Sequence, residues 1–205
     1  MAYVKQNLEA LRQFLPEHSF EIIEPYLQEY KIQLKLTRAR KNILGNFQKD
    51  FRSDTNSITV NGDLEPYNFL LTLAHEIAHC VCINKHGRSV ASHGKEWQVI
   101  NGVILKQLID AEVFPADIVQ VLNRNLYAQA ASCSDPVLEA VLLKYDTRKQ
   151  HLQLISSLAL GTRFKLENGR QFVIVEKRRT RYLCTELSNG KQFLFTASHK
   201  VEVIE

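Results

Sequence analysis

The sequence predicts an α+β protein in two parts, and three observations lead to this prediction. The first is a long apolar segment with helical character at residues 66–85. The second is the alternating segment KIQLKLT at residues 31–37, which is typical of a half-buried strand with Ile32, Leu34 and Leu36 on one face. The third is a change of pattern after about residue 155, where short alternating stretches are joined by Asn-Gly pairs.

The long apolar segment is predicted to be a core helix, because it is apolar on nearly every face. Pro66 suits its first turn, and Gly87 can take a positive φ at its end. Ser92 is predicted to cap a second helix, from about His93 to Leu108. The remaining elements of the first part are predicted as helices near residues 4–14, 17–29 (interrupted by Pro25), 115–125 and 135–145, and strands near residues 42–47 and 57–61.

The last 45 or so residues are predicted to form five short strands. Asn168-Gly169 and Asn189-Gly190 each separate two alternating stretches, which is a strong hairpin signal. Five short strands in so small a segment indicate a small SH3-like β-barrel. We therefore predict one domain at residues 1–155 and a second at residues 156–205, with the boundary between 150 and 158.

Composition limits the class of protein. With 205 residues, of which 45% are hydrophobic, the chain can bury one core, or one core and a small satellite domain. The longest apolar run, residues 69–83, is too short and too polar to cross a membrane, and no secretory signal is evident, so we expect a cytoplasmic protein. The four cysteines form no CxxC pair and are predicted to be reduced, mostly buried thiols: Cys80, Cys82, Cys133 and Cys184.

The stretch His75-Glu76-Ile77-Ala78-His79 carries the chemistry. Residues four apart on a helix lie one above the other, so His75 and His79 present their imidazoles to one point. Imidazoles placed in this way are typical zinc ligands. Glu76 is the next residue along the helix after His75, so it can reach a zinc-bound water without binding the ion. The pattern predicts one Zn²⁺ per chain, with Glu76 as the general base of a hydrolase.

A catalytic zinc site needs a third protein ligand, and three residues are candidates. His86 lies seven residues after His79, too far along one helix to share the ion. Glu96 remains an alternative, as a carboxylate ligand from the second helix. His93 is the preferred third ligand, because the loop before it is long enough to fold back beside the first helix.

The segment from Leu70 to Gln98 resembles the SprT-like (Spartan-related) zinc metalloproteases. That family has HExxH followed by HGxxW, here His93-Gly94-Lys95-Glu96-Trp97. The resemblance covers roughly residues 1–150 and implies a zincin-like core with His93 as third ligand. The chain lacks the CxxC…CxxC ribbon of many family members, and its tail is similar to the β-rich tail of a bacterial subgroup.

The resemblance implies a metallopeptidase that cleaves protein substrates associated with DNA, by attack of zinc-bound water with Glu76 as base. The alternative is a nucleic-acid- or transcription-associated zinc-binding protein with little or no protease activity. A third hypothesis is a zinc hydrolase of a small, non-peptide substrate.

Two basic segments are candidates for DNA or RNA contacts. Residues 161–205 carry nine Lys or Arg against five Asp or Glu, and residues 31–52 carry seven basic residues and one acid. In the tail, the basic residues form a turn between two predicted strands: Lys177, Arg178, Arg179 and Arg181. The aromatic residues near that turn alternate in a way that favours a core position over base stacking.

Overall fold

The computed structural model describes residues 8–40, 43–128 and 135–204. Residues 4–7 of the first predicted helix, Lys41, Asn42 and Cys133 lie outside these ranges. The chain divides into two compact units, Met1–Cys133 and Ser134–Glu205. In the described ranges, no helix combines the length and apolar character needed to cross a bilayer.

The first unit places a small sheet against helices. In chain order it contains a 3₁₀ helix (Leu8–Phe14), α1 (Phe20–Glu29), β1 (Ile32–Thr37), β2 (Gly45–Asp50), β3 (Thr55–Asn61), α2 (Pro66–His86), α3 (Lys95–Asp110), α4 (Ala116–Leu122) and a 3₁₀ turn (Asn123–Asn125). Helix α1 continues through Pro25, which is exposed, so the carbonyl that loses its partner faces water.

The sheet of the first unit has the strand order β1-β3-β2. Strand β1 runs parallel to the central β3, and β2 runs antiparallel to it at the other edge. The buried face alternates as predicted, with Ile32, Ile58 and Val60 fully covered. Leu36 was expected on this face but is 44% exposed, because it lies near the end of an edge strand.

The second unit is a helix followed by an antiparallel sheet. Its elements are α5 (Pro136–Tyr145), β4 (Gln153–Leu154), a 3₁₀ turn (Ile155–Ser157), β5 (Arg163–Lys165), β6 (Gln171–Lys177), β7 (Arg181–Glu186), β8 (Gln192–Thr196) and β9 (Lys200–Ile204). The strand order is β4-β9-β5-β6-β7-β8. Both Asn-Gly hairpins form, with φ of +81° at Gly169 and +70° at Gly190.

The predicted barrel is not closed. Within the described ranges, no ladder joins the two edge strands, β4 and β8. The sheet is nevertheless curled, since Phe195 on β8 lies 5.6 Å from Phe164 on β5 between ring centroids. In a flat sheet, three strand spacings would separate these residues by about 14 Å. The curled sheet encloses an aromatic core that includes Phe172 and Tyr182, as the alternation predicted.

The division into units falls before α5, whereas the pattern change placed the predicted boundary after it. Glu139 on α5 forms an ion pair with Lys200 on β9 at 2.8 Å. Helix α5 therefore belongs to the compact unit of the β-rich tail. No local signal in its sequence reveals this, because the partner strand lies at the far end of the chain.

Candidate metal centre

Helix α2 positions the predicted HExxH residues. The side chain of Glu65 caps its start by accepting hydrogen bonds from the N–H groups of Tyr67 and Asn68, at 2.9 and 3.1 Å. Pro66 occupies the first turn, as predicted. At the other end, Gly87 has φ +76° and donates its N–H to the carbonyl of Ile83. Most of the intervening residues are buried, so the helix is fixed within the core.

His93 is presented by a tight turn and not by the second helix itself. The N–H of Gly94 donates to the carbonyl of Ala91 at 2.9 Å, which closes the turn just before α3. A Cβ on Gly94 would lie 3.1 Å from Cβ of Ala91, so the turn favours glycine. The prediction that Ser92 caps the helix is wrong: Gly94 is the N-cap, and no side chain caps α3.

The structure brings the three predicted metal ligands together. Nε2 of His79 lies 3.1 Å from Nε2 of His75 and 3.0 Å from Nε2 of His93. The remaining side of this triangle, between His93 and His75, is 3.2 Å. The sides are nearly equal, so the three nitrogens surround a common point, and the group could hold a metal ion.

The arrangement of the three nitrogens fits a small cation. When Nδ1 carries the proton, each Nε2 lone pair is directed towards the shared point, and such lone pairs repel one another unless a cation or a proton lies between them. Three nitrogens at about 2.0–2.1 Å from a tetrahedral zinc ion lie about 3.3 Å apart. The observed separations of 3.0–3.2 Å are within a few tenths of an ångström of this value.

The protonation state of the triangle also suits a metal. Burial, with the charges of His79 and His93, lowers the pKa of His75 to about 3. Burial and His93 lower the pKa of His79 to about 4, and burial lowers the pKa of His93. The imidazoles are therefore neutral near pH 7, which is the form that binds metals.

Trp97 packs against the whole triangle. Its ring centroid lies 4.7 Å from that of His75, 5.2 Å from that of His79 and 4.7 Å from that of His93. Trp97 is fully buried, so it holds the three imidazoles from one side and keeps water away from that side. It is also the only tryptophan in the chain, which makes its fluorescence a reporter of this site.

Glu76 lies beside the triangle and is held by strand β2. Its carboxylate accepts a hydrogen bond from the N–H of Phe47. Burial raises the pKa of Glu76 to about 7, while the Phe47 N–H and the charge of Arg40 act in the opposite direction. A Cβ on Gly45 would lie 2.8 Å from Cγ of Glu76. Sequence reasoning missed this support, although a glycine within a predicted strand is a recognised sign of close approach.

Arg40 and Asn61 fix the segment that leads into β2. Nε of Arg40 donates to Oδ1 of Asn61 at 2.8 Å, and Nδ2 of Asn61 donates to the carbonyl of Ile43 at 3.1 Å. The guanidinium also reaches the carbonyl of Leu44 at 3.4 Å. These bonds set the position of the strand that contacts Glu76. No sequence signal identifies the bonds of Asn61, since its partners lie about twenty residues away in the chain.

The triangle and Glu76 line a cleft of about 570 Å³. One wall is β2 with the turn after it, a second is α2, and a third is the loop that carries His93. The lining residues besides the triangle and Glu76 are Asn46, Phe47, Lys49, Phe51, Cys82, Ile83, Arg88, Val90, Ala91 and Ser92. The three imidazoles and Glu76 are therefore accessible from this cleft.

The two other candidate ligands do not join the triangle. His86 is exposed in the last turn of α2, consistent with the distance argument from the sequence. Glu96 is exposed in the first turn of α3 and is not part of the ligand group found in the described residues.

The predicted nucleic-acid contacts lie on exposed positions of the second unit. Lys177, Arg178, Arg179 and Arg181 surround the β6–β7 turn, which is closed by a bond from the N–H of Arg178 to the carbonyl of Arg181. Glu176 lies 3.6 Å from Arg178 and offsets part of the charge. In residues 31–52, the charge of Lys49 is partly offset in the same way, by Asp54 at 2.8 Å.

The buried cysteines match the expectation from the sequence. Cys80, Cys82 and Cys184 are free and buried. Burial raises the pKa of Cys80 to about 12 and that of Cys184 to about 11, so both remain protonated thiols.

Comparison with known proteins gives no further assignment: no family model, no curated protein and no solved structure matches this chain. The resemblance to the SprT-like family therefore rests on the residues of the site itself.

Proposed function

We propose that this chain is a zinc-dependent metallopeptidase of the SprT-like kind. The observation that carries the proposal is the placement of a buried carboxylate, Glu76, beside a triangle of three neutral imidazoles on the wall of an open cleft. A site that only stabilises the fold is usually closed by four protein ligands. Here the described residues offer three candidate ligands, and the triangle lines an open cleft, which favours catalysis.

The residues of the site would have two roles in hydrolysis, metal binding and proton transfer. His75, His79 and His93 would hold the ion, and imidazole ligands are typical of zinc. When bound, zinc acts as a Lewis acid that polarises a carbonyl and makes water more acidic. The Glu76 carboxylate takes a proton from the attacking water and passes it to the departing amine, so that one peptide and one water give an acid and an amine.

Strand β2 favours a peptide over a small substrate. The N–H of Asn61 donates to the carbonyl of Leu44, so the backbone groups of Asn46 and Gln48 point to β3. By the same alternation, the backbone groups of Gly45, Phe47 and Lys49 point away from β3, to the edge of the sheet. There the Phe47 N–H donates to Glu76. A strand edge that lacks a partner strand can pair with an extended peptide through main-chain hydrogen bonds.

Glu76→Gln tests the proposal. The amide keeps the size of the side chain but cannot take a proton, so hydrolysis of an unfolded protein such as casein should fall by two or more orders of magnitude. Zinc content should not change, because Glu76 is not a ligand. Loss of zinc in this variant, or cleavage at the wild-type rate, would show that the role assigned to Glu76 is wrong.

A nucleic-acid partner is a second element of the proposal, favoured by the exposed basic turn of the second unit. It would bring the peptidase to proteins on DNA. If the wild-type chain binds zinc and nucleic acid but hydrolyses no protein, the alternative of a binding protein with an inactive zinc site replaces the peptidase.

A further inference from the structure

The far end of the cleft carries an arginine stacked on an aromatic ring. The guanidinium carbon of Arg88 lies 3.5 Å from the ring centroid of Phe51. Arg88 belongs to the loop after α2 and Phe51 to the turn after β2, and both line the cleft that contains the metal-binding triangle. The stack thus bridges the two walls at that end.

We propose that Arg88 and Phe51 form a subsite for a carboxylate side chain of the bound peptide, which makes the cleft selective for acidic segments. This inference rests on the proposed peptidase function. It assigns a substrate class that neither the triangle nor Glu76 specifies.

Charge favours an anionic occupant at this end. The cleft is lined by two cations, Lys49 and Arg88, and by one acid, Glu76, which lies beside the triangle. Lys49 already pairs with Asp54 at 2.8 Å and also donates to the amide of Asn84. Within the described ranges, Arg88 has no carboxylate partner, so its charge is available to a ligand.

The stack also orients the guanidinium for a carboxylate. Packing on Phe51 covers one face of the planar group and leaves its N–H edge for an in-plane acceptor. A carboxylate accepts two parallel hydrogen bonds from such an edge. Ile83 and Val90 line the same cleft and offer apolar contact to the methylene groups of an acidic side chain.

The position of the subsite determines which residue of the peptide it binds. Lys49 and Phe51 lie two and four residues beyond Phe47, whose N–H contacts Glu76. At about 3.3 Å per residue of extended chain, this corresponds to roughly 7–13 Å, or two to four residues from the bond that is cleaved.

Peptide binding to the Glu76→Gln variant tests this inference without requiring catalysis. The probes are fluorescein-labelled peptides with a single Glu placed in turn at each position, together with the matching Gln peptides. Their binding is measured by fluorescence polarisation in the presence of zinc. We expect a Glu preference of about three- to tenfold at one of the positions two to four residues from the centre. Adding Arg88→Glu should remove or reverse it, and the milder Arg88→Gln should remove it without introducing repulsion. Lys85→Glu changes an exposed charge in the last turn of α2, outside the cleft, and should leave the preference intact.

The outcomes separate the subsite from the function. Equal binding of Glu and Gln peptides, or a Glu preference that survives both Arg88 variants, overturns the subsite. Binding of a labelled single-stranded DNA that depends on Arg88 while the peptides show no preference also overturns it and assigns the cation to phosphate. If the preference holds but the wild-type chain cleaves no peptide, the peptidase function fails and the acidic-peptide site stands.

Discussion

Gly45→Ala is expected to destabilise the chain and disturb Glu76 together. The new Cβ would lie 2.7 Å from Cγ2 of Thr72, 2.8 Å from Cγ of Glu76 and 3.0 Å from its Oε1. Carbon atoms in ordinary contact are about 3.5–4.0 Å apart, so β2 or α2 has to move by roughly 0.7–1.3 Å. Thr72 and Glu76 are both buried, which leaves little room to adjust. Overpacking of this kind costs about 1–3 kcal/mol of the free energy of unfolding.

Gly62→Ala is the matched control. The nearest atoms to its Cβ are 3.7 Å away or more, and neither Gly45 nor Gly62 has a positive φ. Both variants therefore reduce the freedom of the unfolded chain alike, and only Gly45→Ala creates a clash. Urea unfolding should show Gly45→Ala to be the less stable of the two by about 1–3 kcal/mol. Its hydrolytic rate should also fall while zinc is retained. Equal stability and equal activity of the two variants would refute the contact between β2 and Glu76.

Two further predictions concern the second unit. Hydrogen bonds from Arg170 lower the pKa of Glu186 to about 2 from its ordinary 4.5, so the ionised carboxylate stabilises the unit above about pH 4.5 and loses that contribution as the pH falls towards 2. In Glu186→Gln, the stability of the unit should therefore lose this part of its dependence on pH, as measured by acid unfolding with circular dichroism. Changing Arg178, Arg179 and Arg181 together to Ala should lower the slope of log affinity against log salt for duplex DNA by up to about three, with zinc content unchanged. An unaltered slope would mean that the turn makes no phosphate contact.

The parts of the structure that the sequence predicted are those set by local geometry. Helical spacing alone places His75 and His79 on one face, and Asn-Gly pairs alone produce the two hairpins of the second unit. The approach of His93 to His75 and His79 required only that the loop before it be long enough. These features depend on residues close together in the chain, so pattern and spacing were enough.

The parts that the sequence did not predict depend on distant contacts. Gly45 is adjacent to Glu76 only because β2 pairs with β3 and packs on α2. Ser92 is a favourable capping residue, yet the turn closed by Gly94 displaced the start of α3. Curvature decides whether the second sheet closes, and alternation within single strands does not encode it.

Zinc binding by His93→Ala tests the central claim most directly. After chelation, zinc is added back to the wild-type chain, to His93→Ala and to His86→Ala, and binding is followed by the fluorescence of Trp97, which contacts all three imidazoles of the triangle. We predict one zinc per chain in the wild type and in His86→Ala. In His93→Ala we predict an affinity weakened by more than about a hundredfold, since loss of an outer hydrogen-bond partner alone costs 10–100-fold. Wild-type affinity in His93→Ala, or no zinc binding by the wild-type chain, would contradict the account.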